Sequence, residues 1–319
     1  MKRSVVAALT LLICTLSAAA QDWPAKTVKI IVPFAAGATP DVVARLIADY
    51  LQDKLQQTFI VENKPGAGGD TGTDAVAKAD ADGSTIGVSI GGPLAINTLL
   101  FSNLPYDPRK DLALITMLVT QPSALAVNVS LGVNTTQELV DLIRRNPAKY
   151  AFGSIGAGSL SHLAMEAIAL KSDTQLVHVP YPSSPQAMTA LIRNDVQMVC
   201  LPAIVVVPQL GAGSIKILAV STAERSALLP GVPTLKEGGI DVQADAWSGL
   251  IAPAGIPEAM VERIGKLVGD ALTSRAIREK LTAQLMEPIP GTPAEFRSRI
   301  DADIARWTPV IAAAKIRID

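Results

Sequence analysis

Residues 30–41 read Ile30-Ile31-Val32-Pro33-Phe34-Ala35-Ala36-Gly37-Ala38-Thr39-Pro40-Asp41. An apolar run breaks into a glycine-bearing turn, and the turn opens into a helical pattern. The β-branched run favours a buried strand. Thr39 suits the N-cap of the helix and Pro40 its first position. The stretch therefore predicts a strand, a turn and a helix in direct succession.

The same pattern returns far along the chain, in the stretch Tyr150-Ala151-Phe152-Gly153-Ser154-Ile155-Gly156-Ala157-Gly158-Ser159-Leu160-Ser161-His162. The first four N–H groups of a helix have no partner within it, and the helix dipole adds positive charge there. Two such turns that face each other would hold one anionic group from opposite sides. The pattern predicts a clamp on a small ligand rather than a catalytic site.

The N-terminus has the features of an export signal. Two basic residues precede apolar Val5–Leu16, and Ala18-Ala19-Ala20 follow. This order is typical of a signal peptide cleaved before Gln21, which would remove residues 1–20. A membrane anchor is the alternative, since the apolar stretch is close to the shortest length that spans a bilayer. The small residues and the polar residues after them favour export, and we predict a periplasmic protein.

The composition after processing excludes some classes of partner. The mature chain would have 319 − 20 = 299 residues, and its formal net charge would fall from −1 to −3 with the loss of two cations. This balance gives no indication of binding to nucleic acid or to an anionic membrane. Only Cys200 would remain, so no intrachain disulfide is expected, and its apolar neighbours predict a buried, inert thiol.

Apolar β-branched runs alternate with helical patterns along the chain, which implies largely parallel sheets covered by helices. The predicted strands are Val28–Val32, Phe59–Glu62, Ile86–Ile90, Leu112–Val119, Ala124–Asn128, Tyr150–Phe152, Leu176–Val179, Met198–Leu201 and Ile215–Val220. The predicted helices are Pro40–Leu55, Asp74–Ala79, Thr136–Asn146, Leu160–Lys171, Pro185–Asn194, Glu258–Ser274 and Ala294–Ala314.

These strands are too many for one sheet, so we predict an α/β fold of two lobes, each a mostly parallel sheet flanked by helices. An extended run, 246–251, returns the chain, and the two last helices are expected to pack on the first lobe. The predicted boundaries are 21–122 with 245–319 for lobe 1, and 123–244 for lobe 2. Two crossovers make a hinge, and ligand sites favour the cleft between such lobes.

Residues suited to catalysis are few. The chain has His162 and His178 but no metal-binding spacing, and we expect no metal and no cofactor. Residues 87–91 match the Gly-x-Ser-x-Gly pattern of hydrolases, yet Ser89 falls inside a predicted strand rather than on a sharp turn. The rival hypothesis is a periplasmic hydrolase or isomerase with Ser89, Ser154 or Ser159 as nucleophile and His162 as base.

Several residues of the two turns have both a binding and a structural interpretation. Ser154, Ser159 and the neighbouring amides would grip a carboxylate or an ordered water, although Ser159 is also the expected helix N-cap. His162 either contacts the ligand or fixes the loop, and His178 is expected to be a buried histidine at a strand end. Asp41 is expected to stabilise its own helix start, with binding of a ligand ammonium group as the alternative. The aromatic residues Phe34, Tyr181 and Trp247 are candidates for the cleft wall or for the core.

Many short motifs of the chain follow one family's order. They include residues 61–69, 82–85, 104–108, 156–163, 178–181, 218–220, 247–250 and 252–255. The mature chain therefore resembles, over its whole length, the Bug-type solute-binding receptors of tripartite tricarboxylate transporters. The resemblance implies a monomeric, periplasmic-binding-protein-like clamshell that binds a small carboxylated metabolite, often through bridging waters, and presents it to membrane transporter subunits. It places the ligand between the turn holding Phe34, Ala36, Gly37 and Ala38 and the turn holding Ser154, Gly156, Ser159 and His162.

Three departures from the family pattern concern the ligand. Ala38 stands where the family usually has a second glycine. Pro182 and Ser183 replace a basic residue and a glycine after Tyr181, and 200–202 lack the usual acid or amide. A less polar wall favours a monocarboxylate or an aromatic acid over a tricarboxylate. A subunit that senses the same ligand and signals to a membrane kinase is the remaining alternative.

Overall fold

The structure, a computed structural model, describes residues 23–318. The predicted signal peptide lies outside the described residues. Within them, no helix combines the length and the apolar character needed to cross a bilayer. The strands are β1 Val28–Val32, β2 Phe59–Asn63, β3 Thr85–Ile90, β4 Leu112–Gln121, β5 Ser123–Asn128, β6 Ala151–Ser154, β7 Val177–Pro180, β8 Met198–Pro202, β9 Ile215–Val220, β10 Ala246–Pro253 and β11 Glu287–Pro288.

The helices cover both sheets and are α1 Thr39–Leu55, α2 Asp70–Ala77, α3 Asn97–Leu100, α4 Thr136–Arg144, α5 Leu160–Lys171, α6 Ser184–Arg193, α7 Ala203–Val206, α8 Glu258–Thr273, α9 Arg275–Ala283 and α10 Pro293–Ala314. A π-helical turn, Gly92–Ile96, runs directly into α3.

The first sheet has the strand order β11-β4-β10-β3-β1-β2. β1 lies between β2 and β3 and is parallel to both. β10 is inserted antiparallel between β3 and β4, and β11 is antiparallel to β4. β4 therefore runs in the same direction as the first three strands, and most of the sheet shares one direction.

The second sheet has the order β7-β6-β8-β5-β9. β6 lies between β7 and β8 and is parallel to both. β5 is antiparallel to β8 and β9, so it alone is reversed in this sheet of the described chain. The predicted α/β class with two helix-flanked sheets is confirmed, and each sheet adds an inserted, reversed strand that the sequence patterns did not predict.

The chain passes between the sheets twice. Pro122 separates β4 from β5, and residues 221–245 lead from β9 to β10. The hydroxyl of Thr120 at the end of β4 donates to Asp245 Oδ2 at 2.7 Å, and Gln243 Nε2 donates to the other oxygen of Asp245 at 2.8 Å. The two crossings are therefore joined directly by hydrogen bonds.

Helix α10 packs on the cores of both halves. Phe296 and Ile300, near its start, lie in an apolar cluster on the first sheet. Trp307, Val310 and Ile311, near its end, lie in the cluster formed by the second sheet and α5. The last helix is predicted to pack on the first lobe, but its apolar positions also complete the core around the second sheet.

The polar side of α10 is bound to the second crossing by a group of side chains that we call the crossing network: Gln243, Asp245, Trp247, Arg299, Asp303 and Arg306. Asp303 accepts from Trp247 Nε1 and from Arg306 Nη1, both at 2.7 Å. Arg299 Nη2 donates to Asp245 Oδ2 at 3.1 Å, and Arg306 Nη2 donates to Gln243 Oε1 at 3.0 Å. Trp247 is 4% exposed, so it belongs to the core and not to a cleft wall.

Some predicted helix ends and one whole helix differ from the structure. The N-cap of α1 is Ala38, with no side-chain cap, so Thr39 as N-cap is wrong. Helix α2 begins at Asp70, straight after the glycine loop and four residues before the predicted start, and its N-cap, Gly69, provides no side-chain cap. Helix α9 was not predicted. It follows α8 after the single residue Ser274, whose extended conformation separates the two helices.

Candidate functional site

The first turn, residues 33–38, joins β1 to α1 at the centre of the parallel part of the first sheet. In open α/β sheets, ligands bind at the carboxyl ends of such strands. Ala36 and Gly37 are exposed, whereas Phe34 is half-buried, and a Cβ on Gly69 would lie 3.0 Å from its ring. Gly37 has φ +83°, a left-handed conformation that glycine adopts without strain.

Asp41, Arg45 and Asn63 form a hydrogen-bonded clasp around this turn. Asp41 Oδ2 accepts from the Gly37 N–H at 2.8 Å and from Arg45 Nε at 2.9 Å. Asn63 Nδ2 donates to Asp41 Oδ1 and to the Phe34 carbonyl, both at 2.9 Å, and Arg45 Nη2 donates to Asn63 Oδ1 at 3.3 Å. Burial opposes ionisation of Asp41, but the hydrogen bonds that it accepts lower its pKa. The clasp therefore holds a buried carboxylate in its charged form.

The clasp decides which amides of the first turn remain available. The ligand is predicted to lie against the turn that holds Gly37, but the Gly37 N–H donates to Asp41. The Ala38 N–H also bonds within the turn. The N–H groups of Ala36 and Thr39 have no acceptor within residues 23–318. Asp41 has the predicted stabilising role, because both of its oxygens are engaged and it is 2% exposed.

The second turn, residues 155–159, joins β6 to α5 at the corresponding position of the second sheet. Ser159 is the N-cap of α5 and accepts from the His162 N–H at 3.3 Å, as predicted. Four amides of the turn are occupied internally: Ile155 N–H by Ser161 Oγ at 3.0 Å, Gly156 N–H by Ser154 Oγ at 3.1 Å, Gly158 N–H by His162 Nδ1 at 3.0 Å and Ser159 N–H by the Gly156 carbonyl at 3.3 Å.

The hydroxyl groups of the second turn point inward as well. Ser159 Oγ donates to the Gly156 carbonyl at 2.7 Å, so the Ser161 hydroxyl, 3.0 Å away, is left to donate to Ser159. The N–H groups of Ala157, Leu160 and Ser161 have no acceptor within the described chain. The donors that this turn leaves available are therefore main-chain amides, without the serine hydroxyls that are also predicted to bind.

Behind the second turn, two imidazole rings stack. The centroids of His162 and His178 are 3.7 Å apart at an interplanar angle of 12°, and Phe152 stacks at 5.0 Å from His178. Because His162 Nδ1 accepts the Gly158 N–H, its proton is on Nε2, which faces Glu166 Oε1 at 3.4 Å. His162 is 5% exposed and fixes the loop from inside.

Ser89 and Ser154 are buried, unlike an accessible hydrolase nucleophile. Ser89 is fully buried on β3, and its Oγ pairs with Thr73 Oγ1 at 2.9 Å. Ser154 Oγ lies 2.6 Å from His178 Nε2, but Ser154 is fully buried and also bonds both backbone groups of Gly156. Burial and the neighbouring His162 lower the pKa of His178 to about 4, which makes it a poor base at neutral pH. The arrangement favours binding.

The low pKa of His178 predicts an acid-sensitive fold. Its ordinary pKa is about 6.5, so the unfolded chain takes up a proton in a range where the native ring does not, and stability is expected to fall from pH 6.5 towards pH 4. The groups that face the ring are Ser154, His162 and Glu166, of which Glu166 opposes the shift. Urea unfolding at pH 7.5 and pH 4.5 measures the loss, and His178→Gln should flatten it. Parallel pH profiles for both proteins would contradict the assignment.

Apart from Ala38 in the first turn, the residues that depart from the family pattern lie at the carboxyl ends of β7 and β8. Tyr181 is half-buried, with its ring 3.3 Å from where a Cβ on Gly153 would lie. Pro182 is exposed and Pro202 half-buried. Cys200 is fully buried, as predicted, and burial raises the pKa of its thiol to about 12. The carboxyl ends of β7 and β8 thus carry the aromatic ring of Tyr181 and the apolar side chains of Pro182 and Pro202.

One segment, residues 92–100, lies beside both turns. On the side of the first turn, a Cβ added to Gly69 would lie 2.9 Å from Pro93 Cγ and 3.0 Å from the Phe34 ring. On the side of the second turn, a Cβ added to Gly158 would lie 2.6 Å from Leu100 Cδ1. An open cavity of about 670 Å³ lies at the end of this segment, and its lining is Leu99, Leu100, Phe101, Ser102, Ile311, Ala312, Lys315, Ile316 and Arg317. None of the predicted site residues lines that cavity.

Sequence reasoning missed two members of the clasp, Arg45 and Asn63, and the contacts of His178, which is half-buried rather than buried as predicted. Arg45 follows Asp41 by one helical turn, a spacing that brings side chains together, so its role had a local signal. Asn63 and His178 had none, because their partners are distant in the sequence and meet only through strand pairing.

The comparisons with known proteins agree with this architecture. A family model described as the tripartite tricarboxylate transporter family receptor matches residues 43–316. Protein BugT of Bordetella pertussis is 33% identical over 296 residues, covering 92% of this chain and 90% of its own.

Solved structures of similar proteins contain carboxylates. Rpa4515 of R. palustris with adipate is 32% identical, with a TM-score of 0.80 over 93% of this chain and 99% of that chain. MatC from Rhodopseudomonas palustris with bound malate is 30% identical, with a TM-score of 0.75 over 91% of this chain and 100% of that chain. The fold is the two-lobed one of periplasmic binding proteins, and the chain belongs to the tripartite tricarboxylate transporter receptor family.

Proposed function

We propose that this chain is a periplasmic receptor that captures a small carboxylate between its two lobes and delivers it to a tripartite tricarboxylate-type transporter. The observation that carries the proposal is the matched pair of turns. Each follows a central strand at its carboxyl end, and each keeps main-chain N–H groups without acceptors in the described chain. Such amides at a helix start bind anions without a metal or a cationic side chain.

Closure of the lobes would bring the two turns onto one ligand. The proposed lobes are residues 21–122 with 245–319 and residues 123–244, and the hinge consists of the two crossings. Hinge closure of this kind sequesters ligands in many two-lobed proteins. Each turn would then supply half of the anion site, with water filling the remaining distance.

The body of the ligand is proposed to be less polar than a tricarboxylate. In this proposal the ligand body would contact two aromatic rings, those of Phe34 and Tyr181. It would also contact Pro182 and Pro202. Adipate and malate, the ligands of two solved relatives, support the carboxylate class. We therefore place monocarboxylates and aromatic acids first in the panel to be tested.

Removing a single amide donor tests the site. Leu160 is the first residue of α5, where proline is well tolerated, and Ser159 before it has φ −64° and ψ 159°, which suits a residue preceding proline. Leu160→Pro deletes one N–H from the proposed anion site and should weaken carboxylate binding roughly tenfold or more, the value of one charge-assisted hydrogen bond. Leu160→Ala keeps the N–H and is the matched control.

The measurement is isothermal titration with mono-, di- and tricarboxylates and aromatic acids, each paired with its neutral amide. We expect at least one acid to bind while its amide does not, and Leu160→Pro to lose that binding relative to Leu160→Ala. A panel without any binding at millimolar concentration would refute the receptor function. Equal affinities of Leu160→Pro and Leu160→Ala would show that the Leu160 N–H of the second turn does not bind the anion.

A further inference from the structure

The clasp holds a negative charge beside the turn that is proposed to receive an anion. Asp41 is 2% exposed and ionised, and the residue whose N–H it accepts, Gly37, is a member of the first turn. Charges of the same sign repel, and the repulsion grows where the surrounding protein excludes water. An uncompensated carboxylate at this position would oppose the binding of a ligand carboxylate.

Arg45 is the cation that compensates it. Its Nε lies 2.9 Å from Asp41 Oδ2, and its Nη2 donates to Asn63 Oδ1 at 3.3 Å, so the guanidinium bonds both other members of the clasp. The Arg45 side chain is 51% exposed, in contrast with its buried partner. An ordinary surface pair one helical turn apart contributes little to stability. Here the acidic partner is buried and bonds the Gly37 N–H of the turn. Loss of the arginine would therefore affect the turn as well as the ion pair.

We propose that Arg45 is a positioning residue that sets the ligand charge accepted by the site: it neutralises Asp41 and keeps it on the Gly37 amide. The inference rests on the proposed carboxylate-binding function. Arg45 is assigned no direct contact with the ligand. Its effect must then grow with the number of negative charges on the ligand, whereas a purely structural role would affect all ligands alike.

The test compares two probes of nearly equal shape, adipate and its monomethyl ester, which carry two charges and one. In Arg45→Gln the affinity for adipate is expected to fall more than that for the ester, by roughly five- to tenfold for the additional charge. The difference should shrink at high salt concentration. Arg45→Lys keeps the charge without the planar fork, and should preserve the ratio of the two affinities.

The double variant Asp41→Asn/Arg45→Gln separates charge from shape. It removes both charges and places neutral amide groups at both positions, so the ratio should return to that of the wild-type protein. It also keeps the proposal falsifiable if the unbalanced single variant does not fold.

The outcomes distinguish the two proposals. Wild-type protein that binds no member of the wider panel overturns the receptor function and this role together. Carboxylate binding with an adipate-to-ester ratio unchanged in Arg45→Gln, or without binding of either probe, overturns only the role of Arg45.

Discussion

Replacing Asp303 with alanine is expected to lower the free energy of unfolding by about 3–5 kcal/mol, the usual cost of removing one partner from a buried charge group. Asp303 lies on α10 with its side chain 5% exposed. It accepts from Trp247 Nε1 and Arg306 Nη1, and Arg299 Nε lies 3.4 Å from its Oδ1. Alanine would leave these donors in a buried site without their acceptor.

The cost arises because the donors that bonded Asp303 would remain in a buried site without an acceptor. It does not arise because the ion pair itself is strong. Burial raises the pKa of Asp303 in spite of the two nearby guanidinium groups, so desolvation outweighs their attraction. Asp303→Asn keeps an acceptor oxygen and should cost less than alanine. Urea unfolding with a common m-value provides the comparison.

Asp301→Ala is the matched control on the same helix. Asp301 pairs with Arg109 at 2.9 Å, but both side chains are at least half exposed, and such a pair is worth about 0–1 kcal/mol. Similar losses for Asp301→Ala and Asp303→Ala would show that the crossing network does not behave as a buried charge group.

Replacing Gly72 with alanine is expected to destabilise the fold and to weaken ligand binding, although alanine is the better helix former by about 1 kcal/mol. Gly72 lies inside α2. A Cβ there would lie 2.5 Å from Pro33 Cα and 2.9 Å from the Lys64 carbonyl oxygen. Because both obstacles are backbone, they cannot swing aside, and overpacking of this kind costs about 1–3 kcal/mol.

The expected displacement reaches the site, since Pro33 opens the first turn. We expect a lower urea midpoint and at least a tenfold loss of carboxylate affinity, measured by the same titration. Gly265→Ala is the control: it lies inside α8, and its Cβ would find only ordinary contacts at 3.7 Å. That variant should gain about 0.5–1 kcal/mol from helix propensity. A gain in Gly72→Ala as well would show that α2 can move away from the turn without cost.

Local patterns in the sequence were sufficient to predict the two strand–turn–helix units. The runs at 28–32 and 150–154 are short and apolar, and each is followed by glycines and a helical stripe, so the signal for each unit lies within a few residues. Strand insertion was not predictable in the same way. The run 246–253 reads as extended, but its place between β3 and β4 depends on partners that are more than a hundred residues away.

The two turns of the candidate site were predicted as local structure, but the hydrogen-bond partners of their individual donors were not. The pattern indicated that Ser159 would cap α5, and it does. It did not indicate that Ser161 would accept from Ile155 or that Asp41 would take the Gly37 N–H. One serine or aspartate has several acceptable partners within reach, and tertiary packing selects among them. An amide of either turn is available to a ligand only if the folded chain provides no acceptor for it, and that depends on the tertiary structure.

The two-sided packing of α10 has a consequence for the order in which the molecule is completed. Trp307, Val310 and Ile311 fill a core whose other members lie mostly between residues 125 and 244. That core remains open during synthesis until the second half of α10 has been made. The core around the second sheet is therefore completed late, and loss of residues 308–318 would remove part of an interior.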